Sequence, residues 1–253
     1  MKKILVAGVG LLVVGILPAA AADLGARPAP APIYTKAPPA PVYFNWNGFY
    51  IGGNGGYSFG KADTTVTGLT PAVLVPVNIG VSPQGWLGGG QIGYNWQGAG
   101  SPWVFGLETD FQATGETDTG TCTAPTCVPD ASVKNSYPYF GTFRGRIGWD
   151  PSQWLFYVTG GLAYADIHRG VNQLGVVSFQ ETVWRIGFAI GGGVEYAFDR
   201  HWSVKAEFLY IDYGTGSVTI PASGPLGAAP LGPVTLSTHW TDDVARGGIN
   251  FRF

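Results

Sequence analysis

Ten charged side chains sit at spacings that could bring them together: Glu108, Asp110, Arg144, Arg146, Arg185, Glu195, Lys205, Glu207, Arg246 and Arg252. Several are two residues apart, and side chains two apart on a β-strand share a face. Carboxylates in such a set can act as general acid and base, or can neutralise cations in an ion network. Each carboxylate here has basic neighbours, so the network is the stronger reading. His168, His201 and His239 fall in different connectors with no metal-ligand spacing. Asp242-Asp243 could ligate Ca²⁺, but one acidic pair makes no cage. There is no nucleophile motif and no phosphate loop, and Gly191-Gly-Gly193 suits a curved strand better than a nucleotide site. The expectation is no enzyme, no metal and no cofactor. Cys122 and Cys127 are separated by Thr-Ala-Pro-Thr; in an exported chain they are expected to form a small disulfide.

The elements that carry these charges follow one pattern. Between residues 140 and 149, Phe143, Ile147 and Trp149 alternate with Thr142, Arg144, Arg146 and Gly148. After Asp150-Pro151, a turn signal, residues 154–164 alternate again, with Phe156, Val158, Leu162 and Tyr164 on one side. Eight such segments are predicted: about 46–60, 85–96, 103–112, 140–149, 154–164, 184–198, 202–212 and 243–253. The ten charged residues named above fall on the less apolar face of these strands. The connectors at 61–84, 113–138, 166–183 and 213–242 are long and read as mobile loops rich in Thr, Gly, Pro and Ser. Those at 97–102, 150–153 and 199–201 are short.

An even strand number with long loops at one end and short turns at the other is the pattern of an outer-membrane barrel. A soluble barrel of the lipocalin kind is the alternative. Against it stand the alternating connector lengths, aromatics clustered at strand ends and a final aromatic strand. In a membrane barrel the register is fixed by energy. An Arg or Lys facing lipid at mid-depth costs ~2–4 kcal/mol, so the charged face must line the lumen. The fold class expected is therefore all-β: an eight-stranded antiparallel transmembrane β-barrel.

Composition agrees, with 40 glycines, 14% aromatic residues and 12% charged residues, a mix unsuited to a helical bundle. A formal net charge of −2 gives no sign of nucleic-acid binding. Residues 1–22 read as a signal peptide for Sec export: Lys2-Lys3, an apolar core from Ile4 to Leu17 too short to span a bilayer, and Ala20-Ala21-Ala22 for cleavage. Residues 23–45 form an Ala/Pro-rich linker with prolines at 28, 30, 32, 38, 39 and 41. It is either a periplasmic spacer in contact with the cell wall or a passive tail, and composition favours the tail.

The residues also carry a resemblance. Trp46-Asn-Gly-Phe-Tyr-Ile-Gly52, Phe140-Gly-Thr-Phe-Arg-Gly-Arg-Ile-Gly148 and Tyr157-Val-Thr-Gly-Gly-Leu-Ala-Tyr164 match one family, as do Gly191-Gly-Gly-Val-Glu-Tyr196, Val204-Lys-Ala-Glu-Phe-Leu-Tyr210 and Arg246-Gly-Gly-Ile-Asn-Phe-Arg-Phe253. Residues 46–253 resemble the small eight-stranded outer-membrane surface-antigen barrels, or porin family, of alphaproteobacteria. The resemblance implies a Gram-negative outer membrane, with lipid and lipopolysaccharide as surroundings. It also implies assembly by the barrel-assembly machinery, guided by Phe251 and Phe253. The functions that follow are a structural barrel that stabilises the membrane, a small diffusion pore, or a loop-borne receptor or adhesin. The narrow interior of eight strands favours the first over the second.

Overall fold

The computed structural model describes residues 44–68, 77–121, 131–173, 177–220 and 234–253. The expected signal peptide, residues 23–43 of the linker, and both Cys122 and Cys127 lie outside the described residues.

Nine strand segments run in chain order: β1 (Gly48–Gly68), β2 (Val77–Val81), β3 (Gln84–Gln97), β4 (Trp103–Thr121), β5 (Ala131–Trp149), β6 (Trp154–Gln173), β7 (Val177–Ala197), β8 (Trp202–Ile220) and β9 (Val234–Arg252). All neighbours are antiparallel, and β9 returns to pair with β1 from Tyr50↔Arg252 to Gly68↔Val234. β2 and β3 form one strand line. The ladder of β1 with β3 ends at Phe59↔Gln84, and that with β2 resumes in the same register at Ala62↔Val81. Ser82-Pro83 interrupts the line because proline has no N–H to give the ladder; the Gly60 N–H bonds the Pro83 carbonyl instead, at 2.8 Å. The ring therefore closes on eight strand lines, which leaves no open edge in lipid.

Side-chain alternation is clean through the middle of every strand. Phe49, Ile51, Ile92, Phe105, Leu107, Phe143, Ile147, Phe156, Val158, Leu162, Ile190, Val204 and Ile249 face outward and are exposed. Aromatics bound this apolar band above and below. Phe49 to Phe59, Trp86 to Trp96, Tyr139 to Trp149 and Trp154 to Tyr164 are each ten residues apart on one strand. Ten residues at ~3.3 Å each, tilted by ~40°, cover about 25 Å, the height of an outer-membrane apolar band. The short turns lie at one end. That after β3 uses Gly100 at φ +71°, a left-handed conformation that glycine adopts without strain.

The strand starts and ends at the short-turn side fall close to where periodicity puts them. The other side differs: most of the stretches expected as mobile loops at 61–84, 113–138, 166–183 and 213–242 are strand. β1 continues to Gly68, β4 to Thr121, β6 to Gln173 and β8 to Ile220, while β5, β7 and β9 begin at Ala131, Val177 and Val234. The physical reason is that this upper wall stands clear of lipid. Neither face needs apolar residues, so alternation fades, while Thr and Ser keep good strand propensity and pair across the sheet. Thr64 meets Thr238 at 2.9 Å, Ser217 meets Ser237 at 2.9 Å, and Thr219 meets Thr235 at 3.1 Å. Lys61, expected to end a strand, is in mid-β1.

Candidate functional site

The lumen is the site to consider, because the inward faces of the strands converge there. Even-numbered residues of β4, β9 and lower β5 point inward, and odd-numbered residues of β6, β7 and lower β8 do so too. Arg144 on β5 is the centre. It donates to Glu108 at 2.7 Å, Asp110 at 3.0 Å and Glu207 at 3.0 Å, and its Nε donates to Thr142 at 2.8 Å. Arg246 on β9 bridges Glu207 at 2.6 Å and Asp110 at 2.8 Å. Lys205 reaches across to Glu108 at 2.9 Å. Arg146 pairs with Glu195 at 3.1 Å and stacks over Tyr50, its guanidinium carbon 4.7 Å from the ring centre. Tyr50 and Tyr157 donate to Glu108 and Glu207 at 2.7 and 3.2 Å.

All eight of these charged groups are buried, and they count four cations against four carboxylates. A buried charge is tolerable only when it is paired and hydrogen-bonded, and here nearly every one has two or more partners. Inward glycines make the room. A Cβ at Gly93 would run into the Tyr50 hydroxyl, and one at Gly106 would stand 3.0 Å from Arg146 Cγ. Sequence reasoning took the strand glycines as aids to curvature; opposite large inward residues they are also packing voids.

Eight of the ten residues named from the sequence meet in this network, and two do not. Arg185 lies higher, with its guanidinium carbon 4.8 Å from the ring centre of Trp240. Arg252 lies at the lower mouth, 4.6 Å from the ring centre of Trp46, and donates to the Asn45 carbonyl at 2.7 Å. Register neighbours and ion partners also differ. Glu195↔Lys205, Glu207↔Arg246 and Glu108↔Arg144 all face each other across the ladders. Yet Glu195 turns to Arg146, Ser203 and Asn250, and Lys205 to Glu108, because long side chains in a narrow lumen reach past the adjacent strand.

The lower mouth holds a feature the sequence reading placed partly in the linker. Trp46 is fully buried and packs with Val104, Leu155, Tyr157, Ala197 and Phe44. The backbone N–H of Trp46 donates to the Gln97 side-chain oxygen at 2.7 Å, and that of Phe44 to the Ser152 carbonyl at 3.3 Å. A lone Trp before an aromatic strand gave no signal separating it from a lipid-facing rim residue. Phe251 and Phe253 stand on the outer rim, edge to face with ring centres 5.3 Å apart, and the Phe253 N–H bonds the Phe49 carbonyl at 3.0 Å.

The sequence reading also passed over Glu116. It is buried in the lumen above the network, near Asp242, Ser58 and Tyr137. Asp242 and Asp243 separate: Asp242 is inward and buried, whereas Asp243 lies on the opposite face. His168 pairs with Asp166 at 3.2 Å and His239 lies 3.7 Å from Asp212, both partly exposed. Among the described residues no three His, Cys, Asp or Glu side chains gather as a metal site.

Comparison with known proteins agrees with this architecture. Residues 9–227 match the family model described as outer membrane protein beta-barrel domain. The 31 kDa outer-membrane immunogenic protein of Brucella melitensis biotype 1 is 34% identical over 211 residues, covering 79% of this chain and 86% of that protein. A 22 kDa outer membrane protein of Rhizobium leguminosarum bv. viciae is 30% identical over 173 residues, covering 67% and 65%. Among solved structures, Neisserial surface protein A covers 81% of this chain and 97% of its own, at 14% identity and a TM-score of 0.38. The N-terminal β-barrel domain of Pseudomonas aeruginosa OprF covers 79% and 99%, at 15% identity and a TM-score of 0.37. With its closed antiparallel ring, outward apolar band and charged lumen, this chain belongs to the outer-membrane protein β-barrel family and resides in the outer membrane of a Gram-negative bacterium.

Proposed function

We propose that the protein is a closed structural barrel that stabilises the outer membrane and carries an upper wall exposed at the cell surface. The observation that carries this reading is the ion network centred on Arg144, which ties β4, β5, β8 and β9 together across the lumen. A balanced, dehydrated network fills the path a solute would need, and eight strands enclose little space beyond their side chains. Trp46 beneath it supports the same reading. The upper strands rise past the aromatic girdle, and relatives bear the name immunogenic, which suits surface exposure. The test is conductance. Wild-type protein in planar bilayers is expected to be nearly silent, with Glu207→Ala less heat-stable. Large, stable wild-type channels unaffected by Glu207→Ala would favour the diffusion pore instead.

Export by the leader, and assembly guided by Phe253 on the last strand, fit a barrel that must close without an edge. Folding yields by heat-dependent gel mobility should fall further for Phe253→Ala than for Lys61→Ala. Equal yields would remove the special role of Phe253.

A further inference from the structure

Above the network the lumen changes character. Glu116 on β4 and Asp242 on β9 are both buried, and neither has an Arg, Lys or His ion-pair partner among the described residues. The Ser58 hydroxyl donates to Asp242; Gly60, the ladder partner of Asp242, would carry a Cβ 3.3 Å from Glu116 Oε2, so the two carboxylates approach the same part of β1. Tyr137 is paired directly with Glu116 across the β4–β5 ladder. It is only 4% exposed, and its hydroxyl has no hydrogen-bond partner among the described residues. Gln112, two inward positions below on β4, is fully buried with neither amide atom partnered among the described residues. A Cβ on Gly60 would also stand 3.0 Å from the Pro83 carbonyl oxygen, so glycine is what lets Glu116 come this close to β1.

Two carboxylates withdrawn from water with no cation leave a large uncompensated charge, and buried acids near one another demand either a proton or a counter-ion. The polar groups nearest them are oxygens and amides, set in a layer that is otherwise apolar: Trp240 and Val244 are the inward neighbours of Asp242 on β9, and Ala62 and Leu87 belong to the same buried cluster as Tyr137. Two carboxylates with neutral hydroxyls and water suit a hard divalent ion that accepts six to eight oxygens, and do not suit a thiolate- or imidazole-seeking metal. We propose that the upper lumen is a binding site for a hard divalent cation of the Ca²⁺ type, held between Glu116 and Asp242 with the Ser58 and Tyr137 oxygens completing its shell. The ion would join β9 and β4 across β1 and the β2–β3 line, as Arg246 joins β9 to β4 below.

The test uses full-length protein folded in detergent, stripped with EDTA and titrated with CaCl₂ at pH 7 by calorimetry. One Ca²⁺ per chain is expected, weakened at least tenfold by Glu116→Gln and by Asp242→Asn. Asp63→Asn, on the outward face of β1, should leave it unchanged. Ca²⁺ should also raise the unfolding temperature of wild type and not of the two lumen variants. Heat-dependent gel mobility checks that each variant folds, and the wild-type titration decides by itself if one does not. No saturable binding overturns the proposal, as does equal weakening by Asp63→Asn, which would mark surface binding. An infrared band of a buried protonated carboxyl at pH 7, lost in Glu116→Gln and blind to Ca²⁺, would show a shared proton instead and also overturn it.

Discussion

The lower and upper layers of one lumen solve the same problem differently. Below, four cations meet four carboxylates, and the charges balance within the protein. Above, Glu116 and Asp242 stand without an ion-pair partner among the described residues. The backbone differs in step with the chemistry. The lower ladders run without interruption, whereas the upper layer is ringed by register shifts at Ala113/Glu116 between β4 and β5, at Ser136/Tyr139 between β5 and β6, and at Asp212/Gly214 between β8 and β9. A bulge re-aims the side chains beyond it. Tyr139 is 46% exposed to the outside while Tyr137, two residues away, is 4% exposed and faces the lumen. Regular alternation builds the self-neutralising layer; broken alternation builds the layer that needs something added.

The largest effect should come from breaking the balanced layer at its centre. Arg144→Leu leaves Glu108, Asp110 and Glu207 short of a shared cation in a buried site. Stripping one partner from such a cluster costs ~3–5 kcal/mol. Urea unfolding of the vesicle-inserted protein, followed by tryptophan fluorescence, should show that loss. A cost below ~1 kcal/mol would mean that water enters the lumen and screens the charges, which would erase the contrast between layers.

How far the two layers were legible in the sequence follows from this difference. Alternation over ten or so residues gave the strands, the faces and the members of the lower network, because lipid on one side forces apolar residues into every second position. It could not say that Glu195 turns to Arg146 or that Lys205 crosses to Glu108, since those choices depend on side-chain reach inside a closed ring. Arg185 and Arg252 share the inward parity but not the depth, and parity carries no depth. Glu116 escaped notice because Thr, Gly and Glu around it have no apolar rhythm. Trp46 escaped because an aromatic beside a strand start reads the same whether it seals the lumen or anchors in lipid.

The seal at the lower mouth should come next in size. Trp46→Ala would empty a fully buried indole site against Val104 and Leu155 and remove the ring under Arg252. Large-to-small changes of this kind cost ~3–5 kcal/mol in a tight core, and about 3 is expected at this open-ended one. The paired measurement is conductance. If Arg144 closes the barrel by itself, Trp46→Ala loses stability and stays silent in bilayers. Current through Trp46→Ala would assign the closure to the lower seal.

The upper layer should respond with the opposite sign. In EDTA, Glu116→Gln removes one of two buried like charges. Stability should rise by on the order of 1 kcal/mol, the equivalent of one pKa unit of relieved interaction. Wild type and variant are compared by urea midpoint with and without CaCl₂. A clear loss of stability in EDTA would mean that the bond Glu116 accepts from the Thr114 hydroxyl at 3.2 Å outweighs the repulsion from Asp242, and the two layers would then be alike.

The smallest effect tests whether the upper wall belongs to the same cooperative unit as the membrane band. Thr238 is fully buried on β9, shares a 2.9 Å hydrogen bond with Thr64, and receives a 3.3 Å bond from Arg169. Thr238→Val keeps the β-branched shape but removes the hydroxyl, so Thr64 and Arg169 each lose a partner. A lost neutral hydrogen bond costs ~0.5–1.5 kcal/mol. The wall stands above the aromatic girdle and is held by Thr and Ser pairs and the partly exposed Arg169–Glu181 ion pair, apart from the network below, so its opening should be local. Amide exchange by mass spectrometry should therefore quicken in peptides of upper β1 and β9, while exchange around Arg144 and the urea midpoint stay nearly fixed. Faster exchange throughout the barrel would show the wall and the network opening as one.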